Sequence, residues 1–159
     1  VDASGCRVPT TESLCQLASR MVYAAKANCL LLHFEVRVTD RFLIPYTQRE
    51  LFHLQQVLAD VHVTLVPSLD LNSTYIGGQE AQATLRAFAS YFQQCPSLHL
   101  GAALTDVCLR ADNAALLHEL GSHVDRLYLS RSDGTADDPL PSDLPPYCVL
   151  CVDADSQGM

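Results

Sequence analysis

The sequence is poor in basic residues and has no long hydrophobic run. Its 159 residues include 10 Lys and Arg against 18 Asp and Glu, which gives a formal net charge of -8. A surface of this sign repels phosphate backbones and anionic membranes, so nucleic acid is not expected as a partner. No apolar run approaches the roughly 20 residues that span a bilayer, so this segment is not expected to insert into a membrane.

Motifs for cofactors, metals and activated nucleophiles are also missing. The chain has no GxGxxG or GxxxxGK turn, which removes the usual nucleotide-binding interpretations. Its 6 His form no HxH or HExxH pair and no Cys/His cluster at ligand spacing. The GxSxG elbow that marks many Ser-His-Asp hydrolases is absent as well. We therefore expect no metal and no cofactor.

The cysteines and one sequon bear on the compartment. The 7 Cys are spread without the dense spacing of a disulfide scaffold, so most are expected to be buried thiols. Cys148 and Cys151 have the spacing of a redox or zinc pair, but a strand would send them to opposite faces. Asn72 begins an Asn-Ser-Thr sequon, which weakly favours a glycoprotein of the secretory pathway or lysosome. The chain begins at Val1 without a signal-peptide pattern, so the compartment stays open.

What the sequence does contain is globular composition and an alternation of amphipathic helices with apolar strands. With 48% hydrophobic and 18% charged residues, it predicts a single domain over residues 1–159 or a fragment of a larger one. Thr47 and Glu50 form a capping-box pattern at the start of a helix, and Pro67 is predicted to end a strand. Helices are predicted over residues 10–26, 47–58, 79–94 and 112–120, and strands over 29–36, 61–66, 98–100, 124–129 and 147–152. The acidic, Pro-rich stretch 130–146 is expected to be a mobile surface loop.

Strands that are apolar on both faces and follow helices favour parallel βα units, so the predicted fold class is α/β. About five such units fit either part of a TIM barrel or an open doubly wound sheet. Spacing alone does not separate these two arrangements.

Four segments occur in a specific order and spacing: residues 28–33 (NCLLLH), 46–51 (YTQREL), 63–70 (VTLVPSLD) and 98–101 (LHLG). In this they resemble the family-20 β-N-acetylhexosaminidases, over about residues 28–107. The resemblance implies a partial TIM barrel. It also implies substrate-assisted hydrolysis, in which an Asp orients the acetamido group and the adjacent Glu protonates the leaving oxygen.

The chain departs from this family at the residues that carry the chemistry. Ala103 and Leu104 stand where the resemblance implies the Asp and the Glu, and Ser68 replaces another acid one strand earlier. Loss of a general acid commonly lowers the rate by about two to four orders of magnitude. The sequence therefore predicts a catalytically degenerate hexosaminidase-like domain, a pseudoenzyme, within a larger protein. It would bind an N-acetylhexosamine-containing glycan or act as an interaction scaffold.

Several polar residues at or after predicted strand ends are candidates for a sugar site, because barrel enzymes build their sites there. Asp70, His33 and Asp153 are the predicted substrate-binding residues. In the alternative interpretation the chain is an active hydrolase of N-acetylhexosaminides, with Asp70, Glu35 and Asp106 as displaced catalytic carboxylates. Each acid could instead be a loop residue or helix cap, and His33 a satisfied core histidine.

The chain is shorter than a whole barrel. Since a whole barrel needs about 250 residues, this chain would leave a sheet edge open. We expect the remainder of a host chain or a protein partner to cover that edge.

Overall fold

The computed structural model describes residues 1, 3, 8–36, 44–71, 78–110, 114–131, 139, 142 and 144–151. Helices and strands alternate along the described chain, as the sequence predicts. In chain order the elements are α1 (Thr11–Ala25), β1 (Cys29–Val36), α2 (Gln48–Asp60), β2 (Thr64–Leu71), α3 (Gly78–Tyr91), β3 (Ser97–Leu100), α4 (Ala102–Cys108), α5 (Ala114–Gly121), β4 (Arg126–Ser130) and β5 (Cys148–Cys151). Most of the predicted loop 130–146 lies outside the described residues.

The strands form one open parallel sheet in the order β1-β2-β3-β4-β5. This confirms the α/β prediction. Each strand lies beside the one that precedes it, so the described sheet has no point where the strand order reverses. A doubly wound sheet requires such a reversal. Successive right-handed crossovers in one direction place the helices on one face, as in a barrel wall.

Residues at the start of the chain extend this sheet beyond β1. The His33 amide donates to the Val1 carbonyl (2.8 Å), and the Ala3 amide donates to the His33 carbonyl (2.7 Å). Val1 and Ala3 therefore bracket one residue of β1, which is the pattern of a parallel pair. The edge of β1 that faces away from β2 is thus already paired at this point.

The first two helices begin where their capping residues predict. The Thr10 hydroxyl accepts from the Ser13 amide (3.1 Å) at the start of α1. At α2, Thr47 and Glu50 form the reciprocal capping box. The hydrogen bonds from the Thr47 backbone and side chain hold the pKa of the Glu50 carboxyl below its usual value.

The prediction that Pro67 ends the second strand is wrong, because β2 continues through it to Leu71. Alternate residues of a strand direct their backbone groups to opposite neighbours. The Thr64 amide donates to Asn28, at the start of β1, so Pro67 faces β3. The registered pairing of β2 with β3 begins only at Ser68. Pro67 has no amide to donate, but it lies just before the ladder between β2 and β3 begins.

The core lies between the helices and the face of the sheet that they cover. On β1, Leu30, Leu32 and Phe34 are buried, whereas the intervening Leu31 is 37% exposed. Aromatic rings fill the space beneath α3: the Phe88 and Phe92 centroids are 4.9 Å apart, and Phe34 lies 5.6 Å from Phe92. The opposite face of the sheet, here called the inner face, carries Leu31 and its polar neighbours.

Truncation of Phe88 tests this packing. Phe88 is fully buried and Phe52 is 53% exposed, so the same substitution at the two sites is a matched pair. We expect Phe88→Ala to lower the free energy of unfolding by about 3–5 kcal/mol. Phe52→Ala is expected to change it by less than about 1 kcal/mol. Urea unfolding followed by circular dichroism measures both, and equal losses would contradict the described core.

Candidate functional site

The inner face carries a continuous line of four hydrogen-bonded side chains on four adjacent strands, here called the His-Ser row. His33 Nδ1 lies 2.9 Å from Ser68 Oγ, and Ser68 Oγ lies 2.7 Å from His99 Nδ1. His99 Nε2 in turn lies 2.8 Å from Ser130 Oγ. The row therefore runs continuously from β1 to β4.

Strand register explains why these residues meet. Ser68 is the register partner of His33 on one side and of His99 on the other. Ser130 lies two residues beyond Tyr128, the partner of His99, so it shares the same face. Because side chains alternate between faces along a strand, a row of this kind forms only when every strand keeps its register.

The Ser68 hydroxyl couples the tautomers of the two histidines. Ser68 is fully buried, while the other three members are half-buried. A hydroxyl has one proton to donate, so with neutral rings it donates to one of the two Nδ1 atoms and accepts from the other. The two histidines are therefore in complementary tautomers.

Two carboxylates stand nearer the strand ends on the same face. Glu35 and Asp70 are register partners on β1 and β2, so their backbones are about 4.8 Å apart, the spacing of neighbouring strands. Glu35 is exposed and Asp70 is half-buried. The structure thus brings together two of the predicted acids, and His33 lies two residues before Glu35 on the same strand.

The Asp70 carboxylate is turned onto the start of α4. Its Oδ1 accepts from the amides of Leu71 (2.8 Å) and Leu104 (3.1 Å). The N-cap of α4 is Gly101, which makes no side-chain capping bond. Asp70 therefore supplies, from a neighbouring strand, the acceptor that a helix start requires.

Glycine at position 101 is what permits this contact. A Cβ placed on Gly101 would lie 2.2 Å from Asp70 Cγ, far inside van der Waals contact. The Gly101 amide also donates to the Leu69 carbonyl (2.8 Å), which holds the turn against β2. Gly101 and Asp70 thus pack as one unit between β2 and α4.

The structure places the two positions predicted to have lost the catalytic acids on α4. Sequence patterns did not predict this helix. Leu104 is fully buried in the core, and Ala103 is partly buried and packs against it. A core leucine therefore occupies the position at which the family resemblance implies the proton donor.

The remaining predicted site residues lie on a helix or outside the described residues. Asp106 is half-buried on α4, within a helix rather than at a strand end. Asp153 and the sequon residue Asn72 lie outside the described residues.

The Cys148 and Cys151 side chains lie on opposite faces of β5, as predicted from their spacing. Cys148 pairs in register with the buried Leu127, and Cys151 pairs with Ser130 of the His-Ser row. Burial raises the pKa of the Cys148 thiol to about 11. Burial, with a smaller contribution from Cys148, raises that of Cys108 to about 12. Such thiols are protonated and unreactive near neutral pH.

A separate cavity of about 260 Å³ lies in the helical layer. It lies between α2 and the end of α3, on the other side of the sheet from the His-Ser row. Its lining includes Phe52, Tyr91, Gln48 and Gln55. No sequence pattern predicted it, although an exposed Phe on an amphipathic helix is a usable signal.

Among the described residues, no group of three or more His, Cys, Asp or Glu side chains is arranged to hold a metal ion. Within the same residues, every helix is too short or too polar to cross a bilayer.

The sequence predicts His33 and Asp70 as site residues, but it does not predict the row that connects His33 to its neighbours. Ser68, His99 and Ser130 are not among the predicted site residues. A usable signal was present, because polar residues occur within or at the end of each of four successive apolar strands. Converting that signal into a row requires the strand register, which the sequence does not display.

Comparison with known proteins identifies a fold. No protein-family model matches the chain, and no curated protein matches it. A solved complex structure of a GH113 β-1,4-mannanase is similar, with a TM-score of 0.57 at 7% identity, covering 78% of this chain and 51% of that chain. This chain therefore spans about half the length of that structure.

At this identity the likeness concerns the fold alone. The chain has a fold similar to that of a TIM-barrel glycoside hydrolase, with five strands in an open sheet. The likeness does not extend to family 20, which remains a prediction from the sequence segments.

The capping contact predicts a stability change. Asp70→Ala removes the acceptor of the Leu104 amide, so we expect the free energy of unfolding to fall by about 1–3 kcal/mol. Asp70→Asn keeps an oxygen acceptor and should lose less. Asp60→Ala, at an exposed acid, is the control. Denaturant titration gives all three values, and an unchanged midpoint for Asp70→Ala would refute the capping role.

Proposed function

We propose that this chain is a segment of a glycoside-hydrolase-like barrel that binds glycan without cleaving it. One observation carries the proposal: where the resemblance implies the general acid, the described fold has the fully buried Leu104. Asp70, whose carboxylate contacts the Leu104 amide, is engaged at the start of α4 through hydrogen bonds from Leu71 and Leu104. An apolar core position supplies no proton to a leaving oxygen.

The proposed ligand is a glycan that contains N-acetylhexosamine, as the family-20 resemblance implies. We assign its binding to the inner face near the strand ends, through His33 and Asp70, and we propose Asp153, which lies outside the described residues, as a third contact on the basis of the sequence. Hydroxyl and acetamide groups need both donors and acceptors. The exposed Glu35 carboxylate and the half-buried imidazole of His33 offer these on adjacent positions of one face.

The site is proposed to be completed from outside the described strands. Five parallel strands are an open arrangement, and β5 has β4 on one side only among the strands described. Unpaired strand edges are normally covered in folded proteins. We propose that the remainder of a host chain, or a protein partner, pairs with β5, and that the module acts within this larger assembly.

A second candidate function rests on a specific observation, the register pairing of Glu35 with Asp70. Retaining glycosidases hold two carboxyl groups about 5–5.5 Å apart, a separation that neighbouring strands allow. In this alternative the chain is an active hydrolase with displaced acids, and Asp106 could serve as a third acid. The engagement of Asp70 with α4 argues against it.

The sequon motivates one further part of the proposal. If the protein passes through the secretory pathway, Asn72 carries a glycan. A mass decrease after enzymatic removal of N-linked glycans from the native protein supports this assignment, and an unchanged mass refutes it.

Binding and turnover together test the proposed function. With N,N′-diacetylchitobiose we expect calorimetric binding that His33→Ala weakens by at least about tenfold, which corresponds to 1.4 kcal/mol. His53→Ala, an exposed helix histidine, should bind as the unaltered protein does. A chromogenic N-acetylglucosaminide should release no product above background. Clear turnover that Glu35→Gln and Asp70→Asn both abolish would overturn the proposal in favour of the active hydrolase.

A further inference from the structure

The His-Ser row ends at Ser130, whose hydroxyl lies beside an imidazole, as the hydroxyl of an activated serine nucleophile does. Ser130 is the last residue of β4, half-buried, on the face that the helices leave open. Its Oγ lies 2.8 Å from His99 Nε2. This is hydrogen-bond reach for proton transfer from a hydroxyl to an imidazole.

The base in this pair is held by further groups. His99 Nδ1 lies 2.7 Å from Ser68 Oγ, and that oxygen lies 2.9 Å from His33 Nδ1. Ser68 is fully buried, so its hydroxyl is committed to these two rings. A nucleophile, a base and a group that orients the base are the three parts of an activated serine.

Two sets of tautomers satisfy the row, and the one that activates Ser130 is the set in which Ser130 donates. If Ser130 donates to His99 Nε2, His99 carries its proton on Nδ1 and donates it to Ser68. Ser68 then donates to His33 Nδ1, and His33 carries its proton on Nε2. In this set Ser68 accepts from His99 and donates to His33, and the lone pair of His99 Nε2 faces Ser130.

We propose that Ser130 is a nucleophile activated by His99 and that the chain hydrolyses small carboxylic esters. Ser68 and His33 are positioning residues, which fix the ring and tautomer of His99. This activity shares His33 with the proposed glycan site, but it does not require that glycan be bound. The GxSxG elbow is absent, but a triad is defined by geometry and roles and not by sequence position.

The chemistry balances with water as the only co-substrate. Ser130 Oγ forms a bond to the ester carbonyl carbon as its proton passes to His99 Nε2. The bond from that carbon to the alcohol oxygen then breaks, and the leaving oxygen takes the proton from His99. Water attacks the acyl-serine and gives its proton to His99. Ser130 leaves and recovers that proton, so the products are a carboxylic acid and an alcohol.

The orienting group differs from that of a Ser-His-Asp triad, since Ser68 is neutral. It accepts the Nδ1 proton and fixes the tautomer, but it adds no negative charge to stabilise the imidazolium. The expected rate is therefore lower than that of a triad with an Asp. Ser68→Ala should move the pH profile of kcat/KM, because His99 then loses the partner that fixes its tautomer.

Covalent labelling tests the proposal most directly. A fluorophosphonate should attach to Ser130 of the intact protein, and peptide mapping by mass spectrometry should locate it there. Ser130→Ala should stay unlabelled at that peptide. Ser122, an exposed serine near the end of α5, provides the reference for unactivated hydroxyls. Labelling of Ser130 no faster than that of Ser122 would overturn the proposal.

Hydrolysis of p-nitrophenyl acetate is the second measurement. Ser130→Ala and His99→Gln should each lower kcat/KM by at least about 100-fold, since a positioned base contributes about 10²–10⁴. Ser122→Ala should leave it unchanged. If the rate is unchanged in Ser130→Ala, the His-Ser row is structural only and the proposal is refuted. If a variant does not fold, the labelling of the unaltered chain decides.

Discussion

The parallel register of β1 with β2 is the constraint on which the rest of the inner face depends. These strands pair without interruption from Cys29 with Thr64 to Val36 with Leu71. A slip of one residue would turn the polar side chains of one strand into the core. Held in register, the pair aligns His33 with Ser68 and Glu35 with Asp70. The pairings with β3 and β4 then extend the first of these contacts across the sheet.

The contact between Asp70 and α4 links the register of β1 and β2 to the proposed function, because it occupies an acid at a strand end. The chain has a carboxylate at a strand end, where barrel enzymes place their acids. Here that carboxylate receives the Leu71 and Leu104 amides, and Gly101 leaves room for it. An acid used as a helix cap stabilises the fold and is restricted in its orientation. The proposed loss of glycosidase chemistry follows from this use together with the buried Leu104.

Much of the fold could be predicted from local signals, and much of the site could not. The bounds of β1 and the Thr47 capping box follow from hydrophobic patterning and from short-range hydrogen bonding. The continuation of β2 through Pro67 and the existence of α4 depend on tertiary context: where β3 begins to pair, and an acceptor supplied by another strand. The His-Ser row depends on register across four strands, which no single segment encodes. Local chemistry thus reveals single residues such as His33, whereas their partners require the assembled sheet.

The central proposal is that a glycosidase-like fold serves here for glycan binding without glycan cleavage. Nuclear magnetic resonance of the protein labelled with ¹⁵N-histidine, with N,N′-diacetylchitobiose in the same sample, observes both halves of this claim at once. We expect the imidazole ¹⁵N signals of His33 to shift as the sugar is added, while the anomeric signals of the disaccharide stay those of the intact molecule. Unchanged His33 signals, or the appearance of free N-acetylglucosamine, would contradict it.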